Sequence, residues 1–436
     1  MNGSDDPIEH DASRKRGTSD RLRLLFVSPR FLFPAASGGK IRTRDVLRGL
    51  KGGRFAVDLV SPACDVAPRR FADDIAEVCD RFTGWPEAER GLAFKVRRAL
   101  SIGSALPLAV ATDRSSDGAQ AISAALQQRY DLVVCDFPHA SVLLPPRIGV
   151  ASLLFTHNVE AEIFRRHAAV ASGALMRSLW LSQARKMAEF EDQVARRFET
   201  IVAVSERDAA HFARVVGADN VRTIPTGVDL DYFTFAPAQK PAAPRGGRLI
   251  FTGSMDWLAN RDAIRFFIDA IWSRIVAVRP EAEMVVVGHS PPRELVELAT
   301  SNRLRVTFTG FVDDVRVRVR DAHVYVIPLR VGGGTRIKAF EAMAMGCPVV
   351  TTSLGVEGLP IVADSHALFA DDPEAFAAAV LRLLDDASLR ERLSRAARSF
   401  VEQQSSFRVA AQVFEDACVA AVARRQATAA GIPQAA

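Results

Sequence analysis

The sequence predicts an α/β protein made of two successive halves, each with a parallel β-sheet. The chain has 436 residues, which is too long for one ordinary hydrophobic core. Short apolar runs alternate with helical segments, a pattern typical of βαβ units. Residues 235–248 (FAPAQKPAAPRGGR) interrupt this alternation and lack the periodicity of a helix or a strand. We therefore interpret them as a linker between a first half, residues 21–234, and a second half, residues 249–406.

The first half contains apolar runs that suit buried parallel strands. Helical sequence separates these runs, first near residues 42–50 and later over the arginine-rich residues 161–198. The second of these segments is either a helix pair or one broken helix, and we expect Trp180 and Leu181 to pack inward. The strand candidates are residues 23–28, 56–61, 132–135, 152–156 and 201–204.

The second half repeats the alternation and ends in amphipathic helices at residues 373–385 and 389–403. A final helix at about residues 407–424 is expected to pack back on the first half. We expect a disordered tail at residues 1–20 and a frayed tail at residues 426–436. The strand candidates are residues 249–252, 284–287, 306–309, 324–329, 349–352 and 367–369. Ligands of such sheets bind beyond the carboxyl ends of the strands, so we expect the ligand in a cleft between the halves.

Composition narrows the class and the compartment of the protein. No segment approaches the roughly 20 uninterrupted apolar residues that span a bilayer, and residues 1–20 lack the apolar centre of a signal peptide. The five cysteines are scattered and form no CxxC pair, which argues against a disulfide framework or a zinc site. These features indicate a cytoplasmic protein.

The charge balance leaves two interpretations open. A net charge of +5 is modest for this length and suits an ordinary solvated surface. It also suits a basic face that touches anionic lipid at the inner side of the cytoplasmic membrane. Nucleic-acid binding has no motif behind it, so we expect no nucleic-acid partner.

The most informative segment is VYVIPLRVGGGTRIKAFEAMAMGCPVVTTSLGVEGL at residues 324–359. Its pattern predicts a strand, a glycine-rich loop, a helix and a second strand. Such a loop presents backbone N–H groups at a helix N-terminus, where phosphate groups bind. Arg336 and Lys338 add positive charge, and Glu341 is an acceptor suited to sugar hydroxyls. The segment therefore predicts a site for a diphosphate that carries a sugar.

Other blocks accompany this segment, and together they resemble the large retaining glycosyltransferase family 4. In chain order they are SGGKIR (37–42), THNVE (156–160), VAVSE (202–206), IPTGVD (224–229), FTGSMDWLAN (251–260), GFVDDV (310–315), GGGTRIKAFEAMAMGCPVV (332–350) and GVEGL (355–359). The family has the GT-B fold, in which two Rossmann-like domains face each other across a cleft. The combination is most similar to sugar transferases associated with exosortase and exopolysaccharide gene clusters of Gram-negative bacteria.

The resemblance implies donor-binding roles for the glycine-rich segment. The glutamate that matches Glu341 accepts hydrogen bonds from the ribose of the donor nucleotide. Arg336 and Lys338 match a basic pair that neutralises the departing diphosphate, while Gly334 and Thr335 lie in the same loop. Many relatives carry a second glutamate facing the transferred sugar, and this sequence has Gly333 there.

Further positions complete the site that the resemblance implies. His157, at the carboxyl end of a predicted strand, is expected to contact the donor sugar or phosphate, with a structural histidine as the alternative. The glycine loop of the first half and the turn after the first strand of the second half are expected to approach the phosphates, and the GVEGL loop offers backbone amides. The residues concerned are Gly38, Gly39, Gly253, Ser254, Val356, Glu357, Gly358 and Leu359.

These patterns lead to one favoured function and two alternatives. We expect a retaining glycosyltransferase that moves a sugar from a UDP- or GDP-sugar to a glycan or polyprenyl-linked acceptor, in bacterial exopolysaccharide or cell-surface polysaccharide synthesis. The resemblance implies that no metal or other cofactor is required, and Asp313 and Asp314 suit helix caps better than metal ligands. The alternatives are a nucleotide-sugar epimerase of GT-B fold and a catalytically idle nucleotide-sugar-binding protein.

Overall fold

The computed structural model of the protein contains two parallel β-sheets, each covered by helices on both faces. It describes residues 21–35, 37–87, 91–171, 173–236, 246–331 and 337–430, except the side chains of residues 93, 95 and 97. The predicted tail at residues 1–20, residues 237–245 of the predicted linker and residues 431–436 of the predicted second tail lie outside this range.

In the described part of the first half, every strand pairs with its neighbours in parallel, in the order β3-β2-β1-β4-β5-β6-β7. The strands are β1 (Leu22–Val27), β2 (Phe55–Ala63), β3 (Arg81–Pro86), β4 (Leu132–Asp136), β5 (Ala151–Phe155), β6 (Thr200–Ala203) and β7 (Val221–Thr223). The helices are α1 (Gly38–Leu50), α2 (Ala67–Arg70), α3 (Ala72–Val78), α4 (Leu92–Leu100), α5 (Leu108–Asp113), α6 (Ser116–Ala125), α7 (Glu160–Val170), α8 (Ala174–Ala195) and α9 (Glu206–Val216).

The second half has the same construction, with the strand order β10-β9-β8-β11-β12-β13 among its described residues. Its strands are β8 (Arg248–Thr252), β9 (Glu283–Val287), β10 (Val306–Gly310), β11 (Val324–Ile327), β12 (Val349–Thr351) and β13 (Leu368–Phe369). The helices are α10 (Leu258–Phe266), α11 (Ser273–Val278), α12 (Arg293–Ser301), α13 (Val315–Arg320), α14 (Ile337–Ala344), α15 (Pro373–Asp385), α16 (Ala387–Gln404) and α17 (Phe407–Ala429). A π-helical turn at Phe267–Trp272 joins α10 to α11.

The predicted α/β class with two Rossmann-like halves is confirmed, and apolar clusters cover both faces of each sheet. Residues 161–198 form a helix pair, α7 and α8, rather than one broken helix. Trp180 is half-buried against Phe164 and His167, but Leu181 is 50% exposed, so the expectation that Leu181 packs inward was wrong. The final helix extends to Ala429, beyond its predicted end.

The chain crosses between the halves twice, and the two crossings touch each other. Val228, on the way into the second half, donates its N–H to the Ser405 carbonyl at 2.7 Å and accepts from the N–H of Phe407 at 3.2 Å. Beyond this point α17 returns to the first half and adds Phe414 to the core beneath β5. A Cβ atom on Gly227 would lie 2.5 Å from the Phe407 Cα, so the crossings require glycine here.

A side chain at this contact should destabilise the whole protein. In Gly227→Ala the new methyl group meets backbone rather than a flexible side chain, so the crossings must separate, at a cost of about 1–3 kcal/mol. We expect the midpoint of urea unfolding to fall. Gly149→Ala is the matched control, because a Cβ there meets nothing within 4 Å. Equal midpoints for the two variants would contradict the close packing of the crossings.

Candidate active site

The carboxyl ends of the two sheets face each other across a cleft of about 690 Å³. This is the position that parallel sheets give to ligand sites, because strand ends and helix N-termini meet there. Both halves contribute polar side chains and glycines to its walls. Among the described lining residues are Arg30, Gly38, Gly39, Arg42, Phe137, His157, Asn158 and Glu160 from the first half, and Gly253, Ser254, Asn260, His289, Phe311, Asp313, Lys338 and Glu341 from the second.

Lys338 is held in one position on the wall of the second half. Its ammonium group donates to the Asn260 side-chain oxygen at 3.0 Å and lies 4.3 Å from the centre of the Phe251 ring. Asn260 is fixed in turn, since its Nδ2 donates to the Ser254 carbonyl at 2.7 Å. A Cβ on Gly253 would come within 2.9 Å of the Lys338 Nζ. Glycine after β8 therefore lets Lys338 and Asn260 pack close to the backbone at this point.

Glu341 lies one turn further along α14, on the same face as Lys338 because the two residues are three apart. It lines the cleft, and its burial raises the pKa of the carboxyl to about 7, an effect that Lys338 opposes. Asp45 and Arg44 of the first half also act on this pKa, Asp45 raising it and Arg44 lowering it. The carboxyl therefore changes charge near neutral pH.

Ser254 belongs to a small polar cluster that the sequence did not reveal. Its hydroxyl donates to Asp256 and lies 2.6 Å from the Nε2 of His289. The sequence could have placed His289 at a strand end, because this residue follows β9 and Gly288. Nothing in the sequence indicated its pairing with Ser254.

His157 is deeply buried and has both ring nitrogens bonded to protein groups. Its Nε2 lies 2.7 Å from a carboxylate oxygen of Asp136, and its Nδ1 lies 3.2 Å from the Nη1 of Arg42. A guanidinium only donates, so Nδ1 accepts and Nε2 carries the proton. Burial lowers the pKa of this histidine, and Asp136 opposes that effect. His157 lines the cleft as a neutral link between Asp136 and Arg42, stacked 4.0 Å from the ring of Phe137.

The glycine loop of the first half begins α1 and lies in the cleft wall. Gly38 is the first residue of α1, and the N-cap Ser37 makes no side-chain hydrogen bond to the helix. A Cβ on Gly39 would come within 2.6 Å of the Phe137 ring. Glycine at this position thus allows α1 to lie directly against Phe137.

The GVEGL loop lies apart from the described walls of the cleft. Val356 is buried in the core of the second half, and a Cβ on Gly358 would lie 3.2 Å from Ser205 of the first half. Glu357 forms ion pairs with Arg166 of α7, at 2.7 Å, and with Arg207 of α9. Donor binding by this loop, Leu359 included, stays a prediction, and the structure shows that the Glu357 side chain joins the two halves.

Four predicted site residues lie outside the described residues. They are the loop positions Gly333, Gly334, Thr335 and Arg336. Asp313 lines the cleft, and Asp314 caps α13 by accepting from the N–H of Arg316 at 2.9 Å. No group of three potential metal ligands occurs within the part of the chain that the structure describes.

Comparison with known families gives the class of this protein. Residues 36–232 match the family described as Glycosyltransferase Family 4, and residues 246–386 match Glycosyl transferases group 1. The two matches follow each other and correspond to the two halves of the fold. The chain therefore belongs to glycosyltransferase family 4 and has the GT-B fold.

A curated relative is similar to part of this chain, and two solved structures share its fold. The phosphatidyl-myo-inositol mannosyltransferase of Mycolicibacterium smegmatis is 32% identical over 194 residues, which cover 43% of this chain and 49% of the relative. The chain thus spans about half the length of the curated relatives it matches. Sucrose-phosphate synthase from Thermosynechococcus elongatus superimposes with a TM-score of 0.69 at 21% identity, over 94% of this chain and 100% of that one. Anabaena Alr3699/HepE in complex with UDP and glucose gives 0.64 at 14%, over 91% and 99%.

Removal of the Glu357 carboxylate should let the halves separate. In Glu357→Gln, the charge that holds Arg166 and Arg207 is lost, so we expect a larger radius of gyration by small-angle X-ray scattering. The parent protein should expand as NaCl rises, because salt screens these partly exposed pairs, and the variant should respond less. Glu374→Gln, an exposed glutamate of α15, is the control. A variant as compact as the parent at low salt would refute the role of Glu357.

Proposed function

We propose that the protein transfers a hexose from a UDP- or GDP-sugar to a lipid-linked acceptor with retention of anomeric configuration. The observation that carries this proposal is the Lys338–Glu341 pair on α14, which faces the Gly38–Gly39 loop across the cleft. A cation and a hydrogen-bond acceptor on one helix face suit the diphosphate and the ribose of one nucleotide. Membership of glycosyltransferase family 4 supports the same assignment.

The donor is bound mainly by the second half. Glu341 accepts hydrogen bonds from the ribose hydroxyls, and Lys338 lies against the diphosphate. Because Asn260 and Phe251 already hold Lys338, little reorganisation is needed as negative charge grows on the leaving group. Gly253 lines the cleft beside this ammonium group, so a phosphate would be bound next to backbone as well as next to Lys338.

Transfer requires the acceptor hydroxyl to meet the anomeric carbon in a closed cleft. The bond from the anomeric carbon to the diphosphate oxygen breaks as the new glycosidic bond forms on the same face. The proton of the acceptor hydroxyl passes to the departing phosphate oxygen. The closed cleft excludes water, which would otherwise compete as the acceptor. Protein groups alone supply the charge stabilisation in this scheme, without a metal or other cofactor.

The acceptor is proposed to be a lipid that carries a phosphate. The name of the Mycolicibacterium smegmatis relative identifies a phospholipid acceptor for that protein. The sequence resemblance instead favours a polyprenyl-linked glycan made at the inner face of the cytoplasmic membrane for a bacterial exopolysaccharide. Phosphatidylinositol and a polyprenyl-linked sugar are therefore the two acceptors to compare.

A lipid-linked acceptor requires contact with a membrane surface, and one surface of the first half suits this role. Leu92, Val96 and Leu100 follow one another at intervals of four on α4 and are 78%, 52% and 78% exposed. Arg98 is exposed on the same helix. The adjoining Ile102 is also exposed. Exposed apolar side chains beside a cation suit an anionic lipid surface.

Helix α8 also carries exposed apolar side chains. Lys186 donates to the Ile102 carbonyl at 2.9 Å and to the Ser104 carbonyl at 2.7 Å, so α8 lies beside the segment that follows α4. Leu175 is 87% exposed, and Leu181 belongs to the same helix. No helix among the described residues is long and apolar enough to cross a bilayer. The exposed apolar side chains of α4 and α8 lead us to propose that these helices attach the protein to a membrane surface.

Loss of the apolar side chains of α4 should weaken this attachment. The triple variant Leu92→Ser, Val96→Ser and Leu100→Ser should bind phosphatidylglycerol vesicles about tenfold or more weakly in cosedimentation, since each buried aliphatic side chain contributes about 1.5 kcal/mol or more. Val278→Ser with Val362→Ser, two exposed valines of the second half, serves as the control. Unchanged vesicle binding by the triple variant would contradict this surface.

Donor binding should depend on Glu341 and on pH. Glu341→Ala should bind UDP or GDP about 10- to 100-fold more weakly in calorimetry, because a charged hydrogen-bond acceptor is lost. Since burial raises the pKa of Glu341 to about 7, the carboxylate forms as pH rises. Affinity of the parent should therefore increase from pH 6 to pH 8 by more than ionisation of the nucleotide's own terminal phosphate explains. Glu341→Gln should bind more weakly and keep only the part of the pH dependence that comes from that phosphate. The exposed Glu294→Gln is the control. Equal affinities in parent and Glu341→Ala would refute the donor assignment.

The reaction itself is tested by product analysis. UDP-, GDP- and ADP-sugars are screened by thermal shift, and the donors that stabilise the protein are incubated with each lipid acceptor. Transfer of the sugar to lipid supports the proposal. Isomerised nucleotide-sugar without acceptor would indicate an epimerase instead. Donor binding without turnover on either acceptor would indicate an idle binding protein.

A further inference from the structure

Arg42 is a buried cation with unused hydrogen-bond donors in the wall of the cleft. It lies in the second turn of α1 and is 5% exposed. Its Nη1 contacts the Nδ1 of His157 at 3.2 Å, but its Nε and Nη2 have neither solvent contact nor a hydrogen-bond partner among the described residues. A buried guanidinium normally has its N–H groups paired, because unpaired donors cost free energy. These two donors indicate a partner that enters the cleft.

The orientation of Arg42 is fixed through a chain of buried hydrogen bonds. Asp136 is fully buried and accepts from the hydroxyls of Ser28, at 2.9 Å, and Thr43, at 3.2 Å. It also fixes the proton of His157 on Nε2, which leaves Nδ1 as the acceptor that Arg42 requires. Asp136 and His157 thus hold one end of the guanidinium and leave the other end without a protein partner.

The carboxylates around Arg42 act on its charge but do not pair with its Nε and Nη2. Three carboxylates lie close enough to raise the pKa of Arg42 against the effect of burial, namely Asp208, Asp45 and Asp136. Each is engaged elsewhere: Asp45 accepts from Arg44 at 2.6 Å, Asp136 is bonded as described, and Asp208 is bonded to Ser205. Arg30 lines the same wall, and the N-terminus of α1 lies one turn away.

We propose that Arg42 binds a phosphate group in the cleft, with Asp136 and His157 as positioning residues that hold its guanidinium ready. This inference rests on the proposed function and adds to it a phosphate-binding residue on the first half. Nε and Nη2 lie on one edge of the guanidinium and can donate to two oxygens of one phosphate, the geometry for which arginine is suited. The phosphate belongs either to the diphosphate of the donor or to the lipid acceptor.

Binding measurements distinguish these two sources. If the phosphate belongs to the donor, Arg42→Gln should bind UDP or GDP about tenfold or more weakly, while binding of the free nucleoside is unchanged. If it belongs to the acceptor, nucleotide binding should stay normal and the KM should rise about tenfold or more for a phosphate-bearing lipid but not for its phosphate-free analogue. Arg293→Gln, which is 92% exposed on α12, is the control. A folded Arg42→Gln protein with all of these values unchanged would overturn the proposal.

The positioning role of Asp136 and His157 has its own readout. Asp136→Asn should weaken the same phosphate binding, and Asp136→Asn with Arg42→Gln should be no weaker than Arg42→Gln alone, because both changes remove one interaction. Additive losses would overturn the positioning role. A folded Arg42→Lys variant keeps the positive charge at this site and should bind phosphate more tightly than Arg42→Gln does. If the folded lysine variant binds no more tightly than Arg42→Gln, recognition of the phosphate by charge is contradicted.

Inorganic pyrophosphate separates this proposal from the proposed function. If no nucleotide-sugar is bound or turned over, the proposed function fails, but pyrophosphate binding that is lost in Arg42→Gln still supports Arg42 as a phosphate ligand. If sugar transfer occurs and Arg42→Gln binds pyrophosphate, nucleotide and acceptor like the parent, the proposal for Arg42 fails while the proposed function stands.

Discussion

The contact between the two chain crossings is the constraint on which the rest of the structure depends. Gly227 and Phe407 meet where the chain enters and leaves the second half, and Arg48 of α1 bonds to Asp229 in the same crossing at 2.8 Å. Because α17 then packs along α1, with Ala411 where a side chain on Gly49 would lie, the crossing and α1 form one packed unit. The N-terminal turns of α1 carry the glycine loop and Arg42. The packing at the chain crossings therefore positions this wall of the cleft.

The two sides of the cleft are joined by different kinds of interaction, and this difference suits a cleft that opens and closes. At the chain crossings the two halves are connected covalently and are closely packed. Elsewhere Glu357 reaches from the second half to Arg166 and Arg207, in ion pairs that are partly exposed and that separate at little cost. Such pairs stabilise the closed arrangement without locking it. Under the proposed function, release of a nucleotide product would need that reversibility, because a sequestered site must reopen in every cycle.

The sequence predicted most of the fold because buried parallel strands appear as continuous apolar runs. It missed β3, an edge strand with mostly exposed residues, and β7, which is three residues long. The positions of Glu341 and Lys338 in the cleft wall agree with the sequence prediction, because one local segment contains the whole signal; their roles stay predictions. The partners of His157 were not predicted, because Asp136 and Arg42 lie 21 and 115 positions away. The ion pairs of Glu357 were not predicted either, because they depend on how the two halves pack together, and no local sequence pattern indicates that packing.

Each wall of the cleft combines a cation with a carboxylate, but the two pairs differ in kind. Lys338 and Glu341 lie on one helix, so their charges act on each other directly and on whatever binds beside them. Arg42 is separated from Asp136 by a neutral histidine, so Asp136 orients Arg42 without a direct ion pair. A cation held in this way keeps more of its charge for a ligand. A phosphate between Lys338 and Arg42 would attract both halves at once, so leaving-group stabilisation would be strongest when the cleft is closed. Charge on the departing diphosphate and closure of the domains would then favour each other.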